Sequence, residues 1–314
     1  MISYGNYRHL SQCSSDDGVF VVLAVDHRAN LVSDMEKAHM RTVMYDEVVA
    51  FKAAVIHHLL PEATALLTDP DYGFPGTLAL TMGRAGLLAP LEVTDYTIHP
   101  RDHAPRMIEG WGVAKAKRAG CSGVKLLLYF HPQAADAPAK IVLVEQIVAE
   151  CAEVQIPLFL EPIVHALDDL VYPMTRTSAI IEAARVFAGR FNGVLKMQFP
   201  GEADDDEVVW RASLAELDAA CGATPWALLS GGVGFPVFLR QAELACQAGA
   251  SGVIAGRAVW AEAAALEGEA REHFLADEAL QRLQQLRFVC QQHAKPWTVR
   301  VGQPNVDRGW YLQA

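Results

Sequence analysis

Two lysines and one glutamate lie inside apolar segments of the sequence, where charged side chains are uncommon. They are Lys125 in GVKLLLYF (123–130), Glu161 in PLFLEPIV (157–164) and Lys196 in GVLKMQF (193–199). A buried ammonium is unfavourable unless it is paired with an anion or has lost its proton. A second ammonium nearby, together with partial burial, lowers a lysine pKa from about 10.4 toward neutrality. Such an amine can attack a carbonyl group, while a neighbouring glutamate carries the proton.

A second pattern, rich in glycine, follows two later apolar segments and suits a phosphate. Its residues are Ser230, Gly231 and Gly232 at the end of WALLSGG (226–232), and Gly256 and Arg257 at the end of GVIAGR (252–257). Glycines let backbone N–H groups approach a phosphate, and arginine binds it through two parallel hydrogen bonds. Alternatively, the glycines only form tight turns, and the lysines and glutamate form a charge network that only stabilises the interior. The two patterns together favour Schiff-base chemistry on a phosphorylated substrate.

Other polar residues follow predicted strands, and we expect them to contact the substrate. They are Asp26, His27 and Arg28 at the end of the first strand, Asp69 at the end of the second, and Gln198, which shares a strand face with Lys196. Arg28 is the cation best placed to hold the distal anionic group of the substrate. In the alternative interpretation, Arg28 pairs with Asp26 or Asp69 and only braces the mouth of the site.

The elements that must position these residues alternate regularly along the chain. Apolar segments typical of buried parallel strands occupy 19–26, 63–69, 86–93, 123–130, 157–164, 193–199, 226–232 and 252–257. Amphipathic segments that predict helices lie between them, at 45–60, 104–120, 137–154, 178–189, 205–221 and 236–249. This order predicts an α/β fold, a single (β/α)8 TIM barrel, with its active site at the C-terminal ends of the strands.

The whole chain, 1–314, is expected to form one domain. The barrel would span about 18–265, and a C-terminal helical extension and tail would occupy 266–314. Residues 258–294 read as two helices. The Pro- and Gly-rich tail either folds back over the barrel or meets a second subunit, and we expect a homo-oligomer, either a dimer or a tetramer.

The composition of the chain argues against several classes of protein. The chain has a net charge of −11 and no strongly basic segment, which argues against a nucleic-acid partner. Its six cysteines form no CxxC pair, so we expect free buried thiols in a reducing cytoplasm. The N-terminus does not resemble a signal peptide, and no apolar run reaches the roughly 18 residues of a membrane span. We therefore expect a cytoplasmic protein without a membrane partner.

The sequence resembles the tagatose 1,6-bisphosphate aldolase family, which also includes sulfofructose phosphate aldolases. The segments that carry the resemblance run from about residue 18 to 265 and are LAVDHR, LLTDPDYGFP, GVKLLLYF, PLFLEPIV, GVLKMQFP, LLSGGV and GASGVIAGRAVWAEA. The resemblance implies a class I aldolase on a (β/α)8 barrel that works without a metal or other cofactor.

The resemblance also implies roles for individual residues. Lys196 matches the Schiff-base lysine, Lys125 the second active-site lysine, and Glu161 the acid/base glutamate. The residues that match the site for the phosphate of the dihydroxyacetone phosphate half are Ser230, Gly231, Gly256 and Arg257. Asp26 and Arg28 match residues that line the pocket.

Two positions depart from the family pattern. Relatives generally read Lys-Val-Glu where this chain reads Lys196-Met197-Gln198, and His27 stands where relatives usually have glutamine. Both positions lie near the expected mouth, so they bear on the second half of the substrate more than on the Schiff base.

The sequence therefore predicts an aldolase that cleaves a ketose phosphate, such as tagatose 1,6-bisphosphate or sulfofructose 1-phosphate, to dihydroxyacetone phosphate and an aldehyde. The alternative is a sugar-phosphate-sensing barrel with a regulatory role and little catalysis, an interpretation that Gln198 keeps open. A metal-dependent aldolase or isomerase is disfavoured because the histidines show no ligand spacing.

Overall fold

Eight parallel strands close into a barrel, which confirms the predicted fold. The computed structural model describes residues 2–81, 85–94, 98–202 and 205–312. The strands are β1 (Phe20–Ala24), β2 (Ala65–Leu67), β3 (Gly86–Pro90), β4 (Gly123–Phe130), β5 (Leu158–Val164), β6 (Gly193–Met197), β7 (Trp226–Leu229) and β8 (Gly252–Ala255). Each lies within a segment that the sequence assigns to a strand, because strands buried on both faces leave continuous apolar runs.

Helices surround the barrel and fill the connections between strands. They are α1 (Tyr4–Cys13), α2 (Ala29–His39), α3 (Tyr45–Leu59), α4 (Gly73–Thr81), α5 (Val113–Arg118), α6 (Ala137–Glu153), α7 (Tyr172–Phe187), α8 (Glu207–Cys221), α9 (Phe235–Ala248), α10 (Arg257–Trp260), α11 (Gly268–Phe274), α12 (Leu280–His293) and α13 (Trp297–Val301). No helix in these described ranges has both the length and the apolar character that a membrane crossing requires. All six cysteines are buried free thiols, as the sequence predicts.

Two of the predicted helical segments differ from the structure. The segment 104–120 forms a helix only over α5, because Met107 instead pairs with Glu92 in an isolated antiparallel β-bridge. Residues 258–294 do not form two simple helices. The short α10 is followed by a 3-10 turn, and α11 continues into α12 through a π-helical turn, Leu275–Ala279.

The N-terminal helix α1 was not predicted, and it packs near the start of β3 with the C-terminal tail beside it. Ser3 caps the helix by accepting a hydrogen bond from the backbone N–H of Asn6. The Trp297 indole N–H donates to Ser14 Oγ at 3.0 Å, and its backbone N–H donates to Gly18 O at 2.9 Å. Of the two alternatives for the tail, this part of it therefore folds back onto its own barrel.

Strand register places the charged residues at one end of the barrel. Leu127 pairs with Glu161 across β4 and β5, and Lys196 pairs with Ala227 across β6 and β7. Parallel strands present their carboxyl ends at the same edge, so these side chains converge at the C-terminal mouth.

Candidate active site

A cavity of about 200 Å³ opens at the C-terminal ends of the strands. It brings together all the site residues expected from the sequence except Arg28, Asp69 and Gly232, which are not among the described residues that line it. Both lysines and the glutamate are within the cavity wall although each is at least nine-tenths buried. The two lysines and the glutamate that stand out inside apolar strand segments therefore all line this cavity.

Lys125 lies among three carboxylates. Its Nζ is 2.7 Å from Glu92 Oε1, 3.0 Å from Asp26 Oδ2 and 3.3 Å from Glu161 Oε2. Burial by itself would lower the pKa of Lys125, but the negative charges of Asp26, Glu92 and Glu161 outweigh it and raise the pKa well above its ordinary value. This is the opposite of the lowered lysine pKa that the sequence suggested. Lys125 is thus a fixed ammonium and a poor nucleophile.

Lys196 has a different environment from Lys125. Its Nζ lies 2.9 Å from Glu161 Oε1, and among the described residues Glu161 is its only ion-pair partner. Glu161 therefore bridges the two amines, with one carboxylate oxygen directed to each. This arrangement lets Glu161 exchange a proton with Lys196 while Lys125 holds the charge of the carboxylate in place.

Glu92 was missed by the sequence analysis, although it is buried and in direct contact with Lys125. It follows β3 within the apolar segment 86–93, and the same search that singled out Lys125 and Glu161 would have found it. Its second oxygen, Oε2, is buried without a hydrogen-bond partner in the described part of the chain.

Asp26 and His27 follow β1 and line the cavity, the first as a charged group and the second as a neutral one. Burial alone would raise the pKa of Asp26, but Lys125 and Lys196 outweigh it and lower the pKa well below its ordinary value, so the side chain remains a carboxylate. Burial lowers the pKa of His27 to about 3, and Arg257 adds to the effect although Asp26 opposes it. His27 is therefore a neutral imidazole at physiological pH.

The ends of β7 and β8 form the basic side of the cavity. Gly231 and Gly232 adopt φ of +59° and +83°, which favour glycine in this turn. A side chain at Gly256 would lie 2.8 Å from the carbonyl oxygen of Ala24, so the backbone passes closely there. The Arg257 guanidinium lies beside Gly232, since a Cβ at that glycine would be 3.9 Å from Arg257 Nη2. Within the described ranges, Arg257 forms no ion pair, which leaves its charge available.

Arg28 and Asp69 take up structural positions beside the cavity. Arg28 Nη2 donates to the carbonyl oxygen of Glu92 at 2.6 Å and to Thr94 Oγ1 at 3.4 Å. Asp69 is fully buried, forms an ion pair with Lys52 of α3, and accepts a hydrogen bond from the backbone N–H of Tyr72 at 2.8 Å. The structure thus favours a structural role for Arg28. Its hydrogen-bond partners are Glu92 and Thr94, however, and not the Asp26 or Asp69 that the sequence suggested.

Gln198 connects the ends of two strands. Its Oε1 accepts a hydrogen bond from the backbone N–H of Val164 at 2.6 Å, which joins β6 to the end of β5 beside Glu161. The oxygen of Gln198 is therefore occupied by the backbone, and the side chain still lines the cavity.

The fold and these residues define a TIM-barrel protein with a lysine–carboxylate site at its catalytic mouth. Residues 20–262 match the model of the DeoC/LacD family of aldolases. The chain belongs to this family and is an aldolase, which is a lyase.

Curated relatives extend over nearly the whole chain. A tagatose 1,6-diphosphate aldolase of Streptococcus agalactiae is 31% identical over 321 residues, covering 93% of this chain and 98% of that protein. A tagatose 1,6-diphosphate aldolase of Listeria monocytogenes is 30% identical over 329 residues, covering 96% of each. These relatives confirm the resemblance found in the sequence.

Solved structures show the same fold at lower identity. An archaeal fructose 1,6-bisphosphate aldolase superposes with a TM-score of 0.62 at 15% identity, covering 91% of this chain and 98% of that one. A fructose-bisphosphate aldolase from Plasmodium falciparum gives a TM-score of 0.66 at 11% identity, covering 92% of this chain and 94% of that one.

Proposed function

We propose that this aldolase is of class I and cleaves a ketose 1-phosphate through a Schiff base on Lys196. The observation that carries the proposal is the bridging position of Glu161, with one oxygen at Lys196 and the other at Lys125. A nucleophilic amine, a proton carrier and a fixed positive charge are thereby within reach of one carbonyl carbon.

The cleavage follows from these groups. Glu161 takes a proton from Lys196, and the neutral amine adds to the C2 carbonyl. Glu161 then returns this proton to the C2 hydroxyl, which leaves as water and gives a protonated imine. Glu161 removes the proton of the C4 hydroxyl, the C3–C4 bond breaks, and its electron pair moves into the imine to give an enamine. The aldehyde leaves, the enamine takes up a proton at C3, and water releases dihydroxyacetone phosphate and regenerates Lys196.

The phosphate of the dihydroxyacetone phosphate half is assigned to the β7–β8 side of the cavity. The groups that would hold it are Ser230, the backbone N–H groups of Gly231 and Gly256, and the guanidinium of Arg257, all of which line the cavity. The left-handed turn at Gly231 and Gly232 and the uncommitted charge of Arg257 support this placement.

We infer a ketose phosphate with a second substituent at its far end, such as tagatose 1,6-bisphosphate or sulfofructose 1-phosphate. The names of the relatives support the first of these. The regulatory alternative keeps one supporting observation, the neutral Gln198, whereas the intact Lys196–Glu161–Lys125 set favours catalysis. We also propose a cytoplasmic homo-oligomer that acts on a small sugar phosphate.

Two measurements test the proposal together. Borohydride reduction in the presence of dihydroxyacetone phosphate should add the mass of the reduced adduct to a peptide containing Lys196. Turnover of a panel of ketose phosphates and sulfofructose 1-phosphate, with and without EDTA, then separates an enzyme from a sensor. Imine trapping without cleavage of any substrate would support the sensor, whereas activity abolished by EDTA would contradict a metal-free class I mechanism.

A further inference from the structure

The order of the strands gives the direction in which a bound substrate extends. In the proposed reaction the 1-phosphate lies at the ends of β7 and β8, the imine carbon at Lys196 on β6, and the C4 hydroxyl at Glu161 on β5. Strands are neighbours in sequence order around the closed barrel, so this path continues to β4. The far end of the substrate therefore meets the wall formed by β4 and the adjoining ends of β3 and β5.

The part of this wall nearer the mouth is mostly apolar and carries one phenol. Beyond Lys125 and Glu161, toward the mouth, the described residues that line the cavity on this wall are Thr94, Leu127, Tyr129 and Ile163. Tyr129 and Ile163 are register partners on β4 and β5. Because alternate strand residues share a face, Tyr129 projects on the same side as Lys125 and lies nearer the mouth. Its position corresponds to the far end of a substrate whose reacting carbons lie beside the two lysines.

The surroundings of Tyr129 fix its ring and keep its hydroxyl protonated. The ring packs against the imidazole of His103 with centroids 5.0 Å apart and an interplanar angle of 57°. Burial raises the pKa of Tyr129, and the charge of Glu161 adds to the effect although Lys125 and Arg257 oppose it. The phenol is therefore a hydrogen-bond donor throughout the physiological pH range.

Arg28, the cation that the sequence offered for this task, is held elsewhere. Its guanidinium donates to the Glu92 carbonyl and to Thr94 Oγ1, and it is not among the described residues that line the cavity. Arg28 thus supports the β3 side of the wall, and Tyr129 presents a donor to the cavity from the β4 side.

We propose that Tyr129 is a specificity-determining residue, whose phenol O–H donates a hydrogen bond to the oxyanion at the far end of the aldehyde half. This inference rests on the proposed aldolase reaction. The oxyanion is a phosphate or a sulfonate, which present similar tetrahedral oxygen acceptors.

The test compares Tyr129→Phe with Tyr45→Phe, which removes an exposed phenol outside the cavity. The substrates are a ketose 1,6-bisphosphate, the corresponding 1-phosphate, and a 1-phosphate with a 6-sulfonate. For Tyr129→Phe we expect kcat/KM to fall about ten- to a hundredfold on a substrate with a distal oxyanion, mainly through KM. The loss on the plain 1-phosphate should stay below about threefold. Borohydride trapping with dihydroxyacetone phosphate, which lacks the aldehyde half, should be unchanged, and Tyr45→Phe should behave as the wild type.

The pattern of losses decides the assignment. A loss on the bisphosphate identifies phosphate as the group contacted, and a loss on the sulfonate alone identifies sulfonate. Equal losses on all three substrates would overturn the inference, because Tyr129 would then act near the reacting carbons. Impaired trapping in Tyr129→Phe would overturn it as well. Failure of the wild-type protein to trap dihydroxyacetone phosphate is a separate outcome that removes the Schiff-base proposal itself, and the inference with it.

Discussion

Two buried lysines in this barrel, Lys52 and Lys125, both lie beside carboxylates, but their pKa values shift in opposite directions. Lys52 is fully buried against Asp69, and burial lowers its pKa although Asp69 opposes the shift. Lys125 is almost as deeply buried, but three carboxylates raise its pKa. The number of surrounding anions, rather than burial, decides the sign of the shift.

The two sites also differ in what their carboxylates can do. Asp69 binds Lys52 through one oxygen and the backbone N–H groups of Asp71 and Tyr72 through the other, so it is fully committed. Glu161 is shared between Lys125 and Lys196 and faces a cavity. A buried lysine–carboxylate pair is therefore weak support for catalysis unless a second amine and an open space accompany it.

The largest expected effect is the loss of catalysis in Lys196→Met. Removing the amine removes the imine, so kcat/KM should fall by at least about 10⁴-fold while the protein stays folded. The measurement is cleavage of the preferred ketose phosphate, with circular dichroism to show folding. Borohydride labelling that persists in Lys196→Met would assign the imine to another lysine. Lys125 would then be the first candidate, and its description as a poor nucleophile would be wrong.

The next effect is on stability, at the other buried lysine. Lys52→Met leaves the charge of Asp69 buried without its partner, which should lower the free energy of unfolding by about 3–5 kcal/mol. Denaturant titration measures the change, with Lys37→Met as the control because Lys37 is exposed on α2. The double variant Lys52→Met/Asp69→Asn should recover part of the loss. A change no larger than that of the control would contradict a structural role for the pair.

Arg257 offers a smaller effect, on binding. Arg257→Ala should weaken dihydroxyacetone phosphate binding by about 1.5–3 kcal/mol, the range for hydrogen bonds to charged groups. Titration calorimetry on the folded variant measures it, and the free energy of unfolding should change little because Arg257 has no ion-pair partner among the described residues. Unchanged affinity would show that the phosphate binds elsewhere in the cavity.

The smallest effect is expected at Arg28. Because its guanidinium holds the Glu92 carbonyl and Thr94, Arg28→Ala should lower kcat/KM about three- to tenfold, equally for a bisphosphate and a 1-phosphate. Side-by-side kinetics on the two substrates provide the measurement. A loss confined to the bisphosphate would restore the distal-anion role that the sequence suggested and would count against Tyr129.

The sequence was sufficient to predict the eight-stranded barrel but not all of the helices that pack around it. Continuous apolar runs mark strands that are buried on both faces, so all eight were recognisable. Helix α1 was missed because its sequence, YGNYRHLSQC, is mostly polar and its buried residues are only Asn6, Leu10 and Cys13. Its position depends on packing near β3 and on the returning tail, and neither is visible in a local pattern.

The site was predictable to a similar degree. Lys125, Glu161 and Lys196 stood out because each is a charged residue inside an apolar strand. Glu92 has the same pattern at the end of the third apolar segment, and only its contact with Lys125 in the folded chain marks it as a site residue. The sequence could not show that the guanidinium of Arg28 donates a hydrogen bond to the carbonyl oxygen of Glu92, 64 residues away, because such a contact depends on the tertiary fold.

The rings of Tyr4 and Trp310 are in contact, with centroids 4.8 Å apart, so the helix α1 and the C-terminal tail lie close together. A short flexible linker would join these two segments without rearranging the barrel, and the chain could then be opened at the exposed start of α11, at Gly268. Such a circular permutant would keep every strand neighbour of the closed sheet. It would also place new chain ends where a reporter or an affinity tag could be attached.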